Sequence, residues 1–370
     1  WRDWSSDVCS SDLTMLLRLA AAAALLTPLA LAGDVLVVAS SGSGDFTYLQ
    51  AAVDAAAEGD TIVVEAGTYA VNTVIAAKSL DIVAMDGGAD WPTSRIDVLD
   101  LAPSQTVRLA GLGVRNLRVE GCLGPVVLED LNPNGSIQTT SNLLVLDSPA
   151  VTVTNSRFTG DCDYGWDDAG AWGGPAVYAG DSQVRIYHSA LTGGWGNDDF
   201  GPCGVGGFGG PGIWADTGST VRHSGCSFVG GAGGYGTCSD GGPGPGTTGS
   251  GTLLTLATPV TQLVGARSAA AGSTVALTIS GPPGAIPMLV TSATARTLDL
   301  APTVGTLHLA WPFALEPLPP IPASGTLLHT VALPPLPPDQ AQLQLLQVVH
   351  GLPGSRFLGP PLGLTVLGQP

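Results

Sequence analysis

The alternation of apolar and polar positions repeats along the middle of this chain. Leu143–Gly160 reads LLVLDSPAVTVTNSRFTG, Ala176–Gly193 reads AVYAGDSQVRIYHSALTG, and Gly212–Gly230 reads GIWADTGSTVRHSGCSFVG. Each segment starts apolar, turns at an Asp/Ser/Gly corner, alternates through a strand, and ends on a bulky residue two before a Gly. Aligned on that residue, the segments form columns: Val151, Val184 and Val221; Val153, Ile186 and His223; Phe158, Leu191 and Phe228. TVRLAGLGV joins them with Val107, Leu109 and Val114. Strand side chains have period two, so these columns face inward, and Arg108, Thr152, Arg185 and Arg222 face outward. Units of this size bury a core only by stacking on one another. The corners hold Asp147, Asp181 and Asp216 beside Gly, Ser or Thr, which is turn chemistry.

Upstream, Phe46–Ala57 puts Leu49, Ala52, Val53 and Ala56 on one helical face, and the strand Thr61–Val64 follows. A helix there covers the open edge of the first strands. The whole segment Gly42–Tyr69, GSGDFTYLQAAVDAAAEGDTIVVEAGTY, resembles the opening of the pectin-lyase-like superfamily, and is especially similar to the start of pectin methylesterases. The resemblance implies an all-β fold: a right-handed parallel β-helix with an N-terminal capping helix. That scaffold carries lyases, hydrolases, esterases and non-catalytic surface proteins, so it implies an architecture and leaves the activity open.

The two ends read differently. Residues 1–14 look like a translated library adaptor. Residues 15–32, with Arg18, the apolar stretch Leu19–Leu31 and the small-residue site Ala30-Leu31-Ala32, read as a signal peptide, which predicts a secreted or cell-surface protein. No later stretch is long and apolar enough for a membrane helix, so an integral membrane protein is not expected. Gly241–Gly251 is a linker by composition. Residues 253–370 hold 18 of the 29 prolines and, for charge, only Arg267, Arg296, Arg356, Asp299, Glu316 and Asp339. Strand-like runs such as Thr274–Ile279, Thr326–Leu333 and Leu343–Val349, separated by Gly281-Pro-Pro-Gly284 and similar turns, predict a small β-sandwich. Leu318-Pro-Pro-Ile-Pro322 followed by QLQLLQVV is similar to C-terminal modules of some secreted bacterial proteins. The expected division is therefore 33–252 and 253–370. The uncharged second part is expected to pack on the first part or on the envelope.

Charge and candidate chemistry narrow the partners. The chain has 13 Lys+Arg against 30 Asp+Glu, net −17, and the acidic excess lies before residue 253. That argues against nucleic acid or an anionic membrane, and suits cations or neutral sugars. Asp161–Gly174, Gly194–Gly210 and Gly231–Gly246 are long Gly-rich loops that leave the repeats at one corner, so stacking gathers them on one side. They offer Tyr164, Trp166, Trp172, Trp195 and Tyr235 beside Asp167, Asp168, Asp198 and Asp199. Aromatic faces next to carboxylates suit polysaccharide, and carboxylates on glycine loops suit Ca²⁺. No C-x-x-C zinc pair occurs. Cys162, Cys203 and Cys238 sit in comparable loops, where a disulfide is expected without a readable pairing. Three readings stay open. One is polysaccharide recognition through Tyr164, Trp166, Asp167, Asp168, Trp172, Trp195, Asp198 and Asp199. Another is a structural or adhesive envelope protein whose loops only pack. The third is a lyase or hydrolase using the loop carboxylates or the Arg185/Arg222 pair.

Overall fold

A computed structural model of the chain describes residues 33–85, 88–132, 142–161, 171–256, 262–293, 295–299, 306–309, 313–352 and 355–368. The protein is mostly β, with large parallel sheets and the helix Leu49–Ala55. That helix buries Leu49, Ala52 and Val53, the face the sequence marks. Its last carbonyls are capped from outside: Lys78 Nζ donates to Val53 O at 2.8 Å and to Ala56 O at 2.6 Å.

The first parallel sheet stacks strands from Gly33–Val38 to Thr252–Thr255. A second runs from Gly67–Thr68 to Thr247–Thr248, and a third joins Arg157–Thr159, Ala190–Thr192 and Ser227–Val229. From Leu80 the chain alternates between the first two sheets, and from Arg157 it visits all three in rotation, returning to each one strand further along. The sequence columns are columns in space. Leu36, Ile62, Ile82, Leu109, Leu128, Val153, Ile186 and His223 pair rung by rung through the interior. Phe158, Leu191 and Phe228 form the third sheet's column. Val114 departs from its expected place: it pairs with Trp91 in the second sheet, because Leu112–Glu120 runs there as one long strand.

The corners are single residues in the left-handed region, where short polar side chains are tolerated best. Asp147 has φ 47° and Asp181 φ 44°, whereas at the third corner Gly218, with φ 88°, takes the position in place of Asp216. A serine follows each corner, and its hydroxyl satisfies an amide of the adjacent rung. Ser148 N donates to Ser182 Oγ at 3.1 Å, and Ser182 N to Ser219 Oγ at 3.2 Å. A second ladder joins Leu131 N to Ser156 Oγ and Ser156 N to Ser189 Oγ, each at 3.1 Å.

In the C-terminal part, Gln262–Val264, Thr274–Ser280 and Thr326–Ala332 form one antiparallel sheet. Ile286–Ser292, Gln340–Leu352 and Ser355–Leu367 belong to another, and Leu277, Ile279, Leu289, Val348 and Leu364 meet in one apolar cluster between them. Pro360 and Pro361 have no N–H to give the ladder. Buried Gln347, opposite Pro361, donates Nε2 to Gly359 O at 2.8 Å and to Thr306 O at 2.7 Å.

This part lies on the outer face of the first parallel sheet. Gly33–Val38 pairs antiparallel with Gln340–Leu352, and Val35, Val63, Val83 and Ala110 pack with Leu367. Beneath the lid of Ser355–Leu367, Arg108 is fully buried. Its Nη1 donates to Asp81 Oδ1 at 3.0 Å, its Nε to Glu129 Oε2 at 3.0 Å, and its Nη2 to Gly363 O at 2.6 Å. Thr365 Oγ1 donates to Asp81 Oδ2 at 2.6 Å. Nearby, His308 is buried against Thr152, with Nδ1 3.2 Å from Oγ1, and meets the edge of Tyr187. Arg267 Nε reaches Asp130 Oδ2 at 2.8 Å.

Candidate functional site

The Gly-rich segments leave the third sheet after Thr159, Thr192 and Val229 and re-enter the second at Val177, Ile213 and Thr247. Among the described residues between those points there is neither helix nor strand, yet the backbones are hydrogen-bonded from rod to rod. Gly194 N donates to Gly174 O, Gly210 N to Gly194 O, Gly231 N to Gly210 O, and Gly244 N to Gly231 O, each at 2.8 Å. A second series lies three residues along: Asn197 N to Ala171 O, Gly207 N to Asn197 O, Gly234 N to Gly207 O, and Gly241 N to Gly234 O. A bonding register that advances by three residues is the signature of extended rods with three residues per turn, the polyproline II geometry.

The sequence makes these rods with the pattern Gly-Gly-X: Gly193-Gly194-Trp195, Gly206-Gly207-Phe208, Gly230-Gly231-Ala232 and Gly233-Gly234-Tyr235. Most of these glycines are buried, and every X residue is exposed. Packing rods this closely leaves no room for a β-carbon. One added at Gly193 would overlap the carbonyl of Gly210, and one at Gly231 the carbonyl of Gly194. The third direction of each rod faces solvent and carries the side chain.

The bonds also sort the rods into layers. Gly173 N bonds Phe208 O, Gly206 N bonds Ser239 O and Gly209 N bonds Gly242 O, which joins the rods at 171–174, 204–210 and 239–245 side by side. Gly196 N bonds Ala232 O and Asp199 N bonds Tyr235 O, which joins the rods at 193–197 and 230–235. The two series above run between these layers. The slab thus has an aromatic residue set on each face. Trp172 and Phe208 share one face, in edge contact at 5.6 Å between ring centres. Trp195 and Tyr235 are on the other. Trp172 is 62% and Trp195 65% exposed. A disulfide, Cys203–Cys238, staples neighbouring rods of the first layer, while Cys122 and Cys226 are free thiols. Cys162 lies outside the described residues.

Of the residues expected to form the site, Tyr164, Trp166, Asp167 and Asp168 lie outside the described residues. Trp172 and Trp195 are presented to solvent, but on opposite faces and not as one platform. Asp198 and Asp199 both accept hydrogen bonds from the loop backbone, Asp198 while exposed and Asp199 partly buried. Asp198 Oδ1 accepts from Tyr235 N at 2.7 Å. Asp199 Oδ1 accepts from Gly201 N at 2.9 Å and its Oδ2 from Val205 N at 3.2 Å. Among the described residues no group of His, Cys, Asp and Glu is arranged to hold a metal ion. Phe208, absent from the expected site, stands exposed beside Trp172. The period-three glycine pattern marks it, since it occupies the same X position as Trp195.

The two other outward features also find their places. Tyr178 and Trp214 pair across neighbouring strands of the second sheet, 6.4 Å apart, and both donate to Asp216, Trp214 Nε1 at 2.8 Å. Arg185 is not a surface cation. It is buried, and its Nη1 donates to Pro149 O at 3.2 Å. His223 is partly buried behind Phe228, ring centres 4.7 Å apart, and burial holds its imidazole below the ordinary histidine range. In comparisons with known proteins, no family model, curated protein or solved structure matches the chain.

Proposed function

We propose that residues 33–252, with the strand Thr252–Thr255 completing the last rung, are a right-handed parallel β-helix of the pectin-lyase-like type, joined to a C-terminal β-sandwich, and that the protein is exported and recognises extracellular polysaccharide through its glycine-rod slab. The parallel register of the three sheets and the helix over their first strands support the architecture. One observation carries the function: large aromatic side chains stand exposed on a backbone that is hydrogen-bonded and too crowded to move aside. A soluble protein ordinarily buries such rings, and a set of them held outward marks a binding surface. Flat aromatic faces pack on the C–H faces of sugar rings at little entropic cost when their backbone is already fixed.

The reading is one of binding, and no turnover is assigned to Asp198, Asp199 or Arg185. Glycoside hydrolysis needs carboxyls free to protonate a leaving oxygen and activate water. Here Asp198 and Asp199 accept hydrogen bonds from loop amides. A lyase built on Arg185 would need access to it, and Arg185 is buried. The test is retention of the full chain on a panel of insoluble and immobilised polysaccharides, beside the Trp172→Ala/Trp195→Ala double variant. Retention of the parent on at least one glycan, and its loss in the double variant with unchanged thermal unfolding, is the expected result. Equal retention of both proteins would refute the slab as the site.

A further inference from the structure

Building on the reading of glycan recognition, we infer that the slab holds two separate glycan sites back to back, and that their ligands are neutral polysaccharides which one molecule can bridge. The bonding register divides the rods into layers, and each layer presents its own rings: Trp172 with Phe208 on one side, Trp195 with Tyr235 on the other. Glycine fills the space between, so a ligand on one face cannot reach the rings of the other. Tyr235 is 67% exposed, comparable to Trp172 and Trp195, so neither face is covered by the rest of the described chain.

Charge selects the ligand. The segments 160–176, 193–212 and 230–246 contain no Lys, Arg or His. They do contain seven Asp residues, among them Asp161, Asp198, Asp199 and Asp240. Asp161 lies 3.7 Å from Arg115, but at the other carboxylates a polyuronate would meet like charge with no cation supplied by these segments to offset it. A neutral chain meets apolar ring faces, with carbonyls and carboxylate edges able to accept from its hydroxyls. Two faces that each hold a chain make the molecule a cross-linker, and linking through a rigid body raises avidity without new contacts.

The test is calorimetric titration of the full chain with cello-, manno- and xylo-oligosaccharides, with oligogalacturonate as the anionic comparison. The expected result is two equivalents of a neutral oligosaccharide per chain. Trp172→Ala and Trp195→Ala each reduce this to one, and the double variant to none. Phe208→Ala and Tyr235→Ala, read the same way, assign the faces independently should either tryptophan variant misfold. Light scattering should show parent protein clustering the matching soluble polysaccharide, and either single variant failing to do so. A single equivalent in the parent, or complete loss in one single variant, overturns the two-site inference while leaving glycan recognition standing. Preference for oligogalacturonate overturns the neutral ligand. No binding of any probe by the parent removes glycan recognition itself.

Discussion

Arg108 and Glu129 meet where water is excluded: Nε lies 3.0 Å from Oε2, and both side chains are buried under Ser355–Leu367. Burial works against the guanidinium charge, but Asp81 and Glu129 outweigh it and hold Arg108 above its ordinary value. Burial pushes the Glu129 carboxyl up, against the pull of Arg108. The pair lies between the two parts of the chain, since Gly363 N donates to Glu129 and Gly363 O accepts from Arg108.

Removing Arg108 therefore strands two buried carboxylates. Arg108→Met should cost about 3–5 kcal/mol, the usual scale for breaking a buried pair by deleting one partner. Glu129→Gln should cost less, because Arg108 keeps Asp81 and the carboxamide oxygen still accepts from Gly363. Urea unfolding of the two variants beside the parent measures the order. Equal losses would show that the network is not organised around the arginine.

The serine ladders make a second, smaller prediction. Ser182 Oγ accepts from Ser148 N at 3.1 Å and donates to Gly180 O at 2.7 Å. Ser182→Ala leaves a buried amide unpaired, which costs about 1–3 kcal/mol. Amide exchange at Ser148 should quicken in the variant. Unchanged protection there would mean that the hydroxyl is dispensable.

How far the sequence predicts the molecule depends on the range of the signal. The inward columns were legible because strand period two and rung length are local properties, and Val151, Val184 and Val221 align by counting alone. The same local logic placed Leu49 and Val53 on the buried helical face. Arg108 looked like an outward, solvated residue because its burial is supplied by Gly363 and Thr365, far along the chain. The loops read as irregular because glycine has no side-chain pattern to follow. Their order lies in a spacing of three, which neither strand nor helix periodicity detects. Asp198 and Asp199 sat correctly in the loop cluster, but no spacing rule says whether a loop carboxylate turns to ligand or to its own backbone.

That period of three can be tested by paired substitutions. Gly231→Ala puts a methyl into the carbonyl of Gly194 and should cost about 1–3 kcal/mol by overpacking. Ala232→Ser, one residue on and exposed, should stay within about 0.5 kcal/mol of the parent. Thermal unfolding and limited proteolysis of the loops distinguish them. Similar behaviour of the two variants would exclude the close-packed rods.

Acid should loosen the stacked sheets through histidine. Burial holds His188 and His223 below the ordinary imidazole value, so the folded state resists protonation that the unfolded chain accepts. The sign follows from proton counting. Above the unfolded value, about 6.5, both states are neutral and the contribution is fully present. As pH falls below that value the unfolded chain takes up protons first, and stability declines until the folded value is passed. Each unit of depression corresponds to about 1.4 kcal/mol. His188 sits at a left-handed corner with φ 48°, so asparagine, which tolerates that region, is the conservative replacement there. His223 faces Phe228 and accepts glutamine as a neutral substitute. Urea midpoints between pH 7.5 and pH 5 should fall for the parent and fall less in the His188→Asn/His223→Gln double variant, where buried His350, also held below the ordinary value, remains. Parallel slopes for the two proteins would assign the acid sensitivity to other groups.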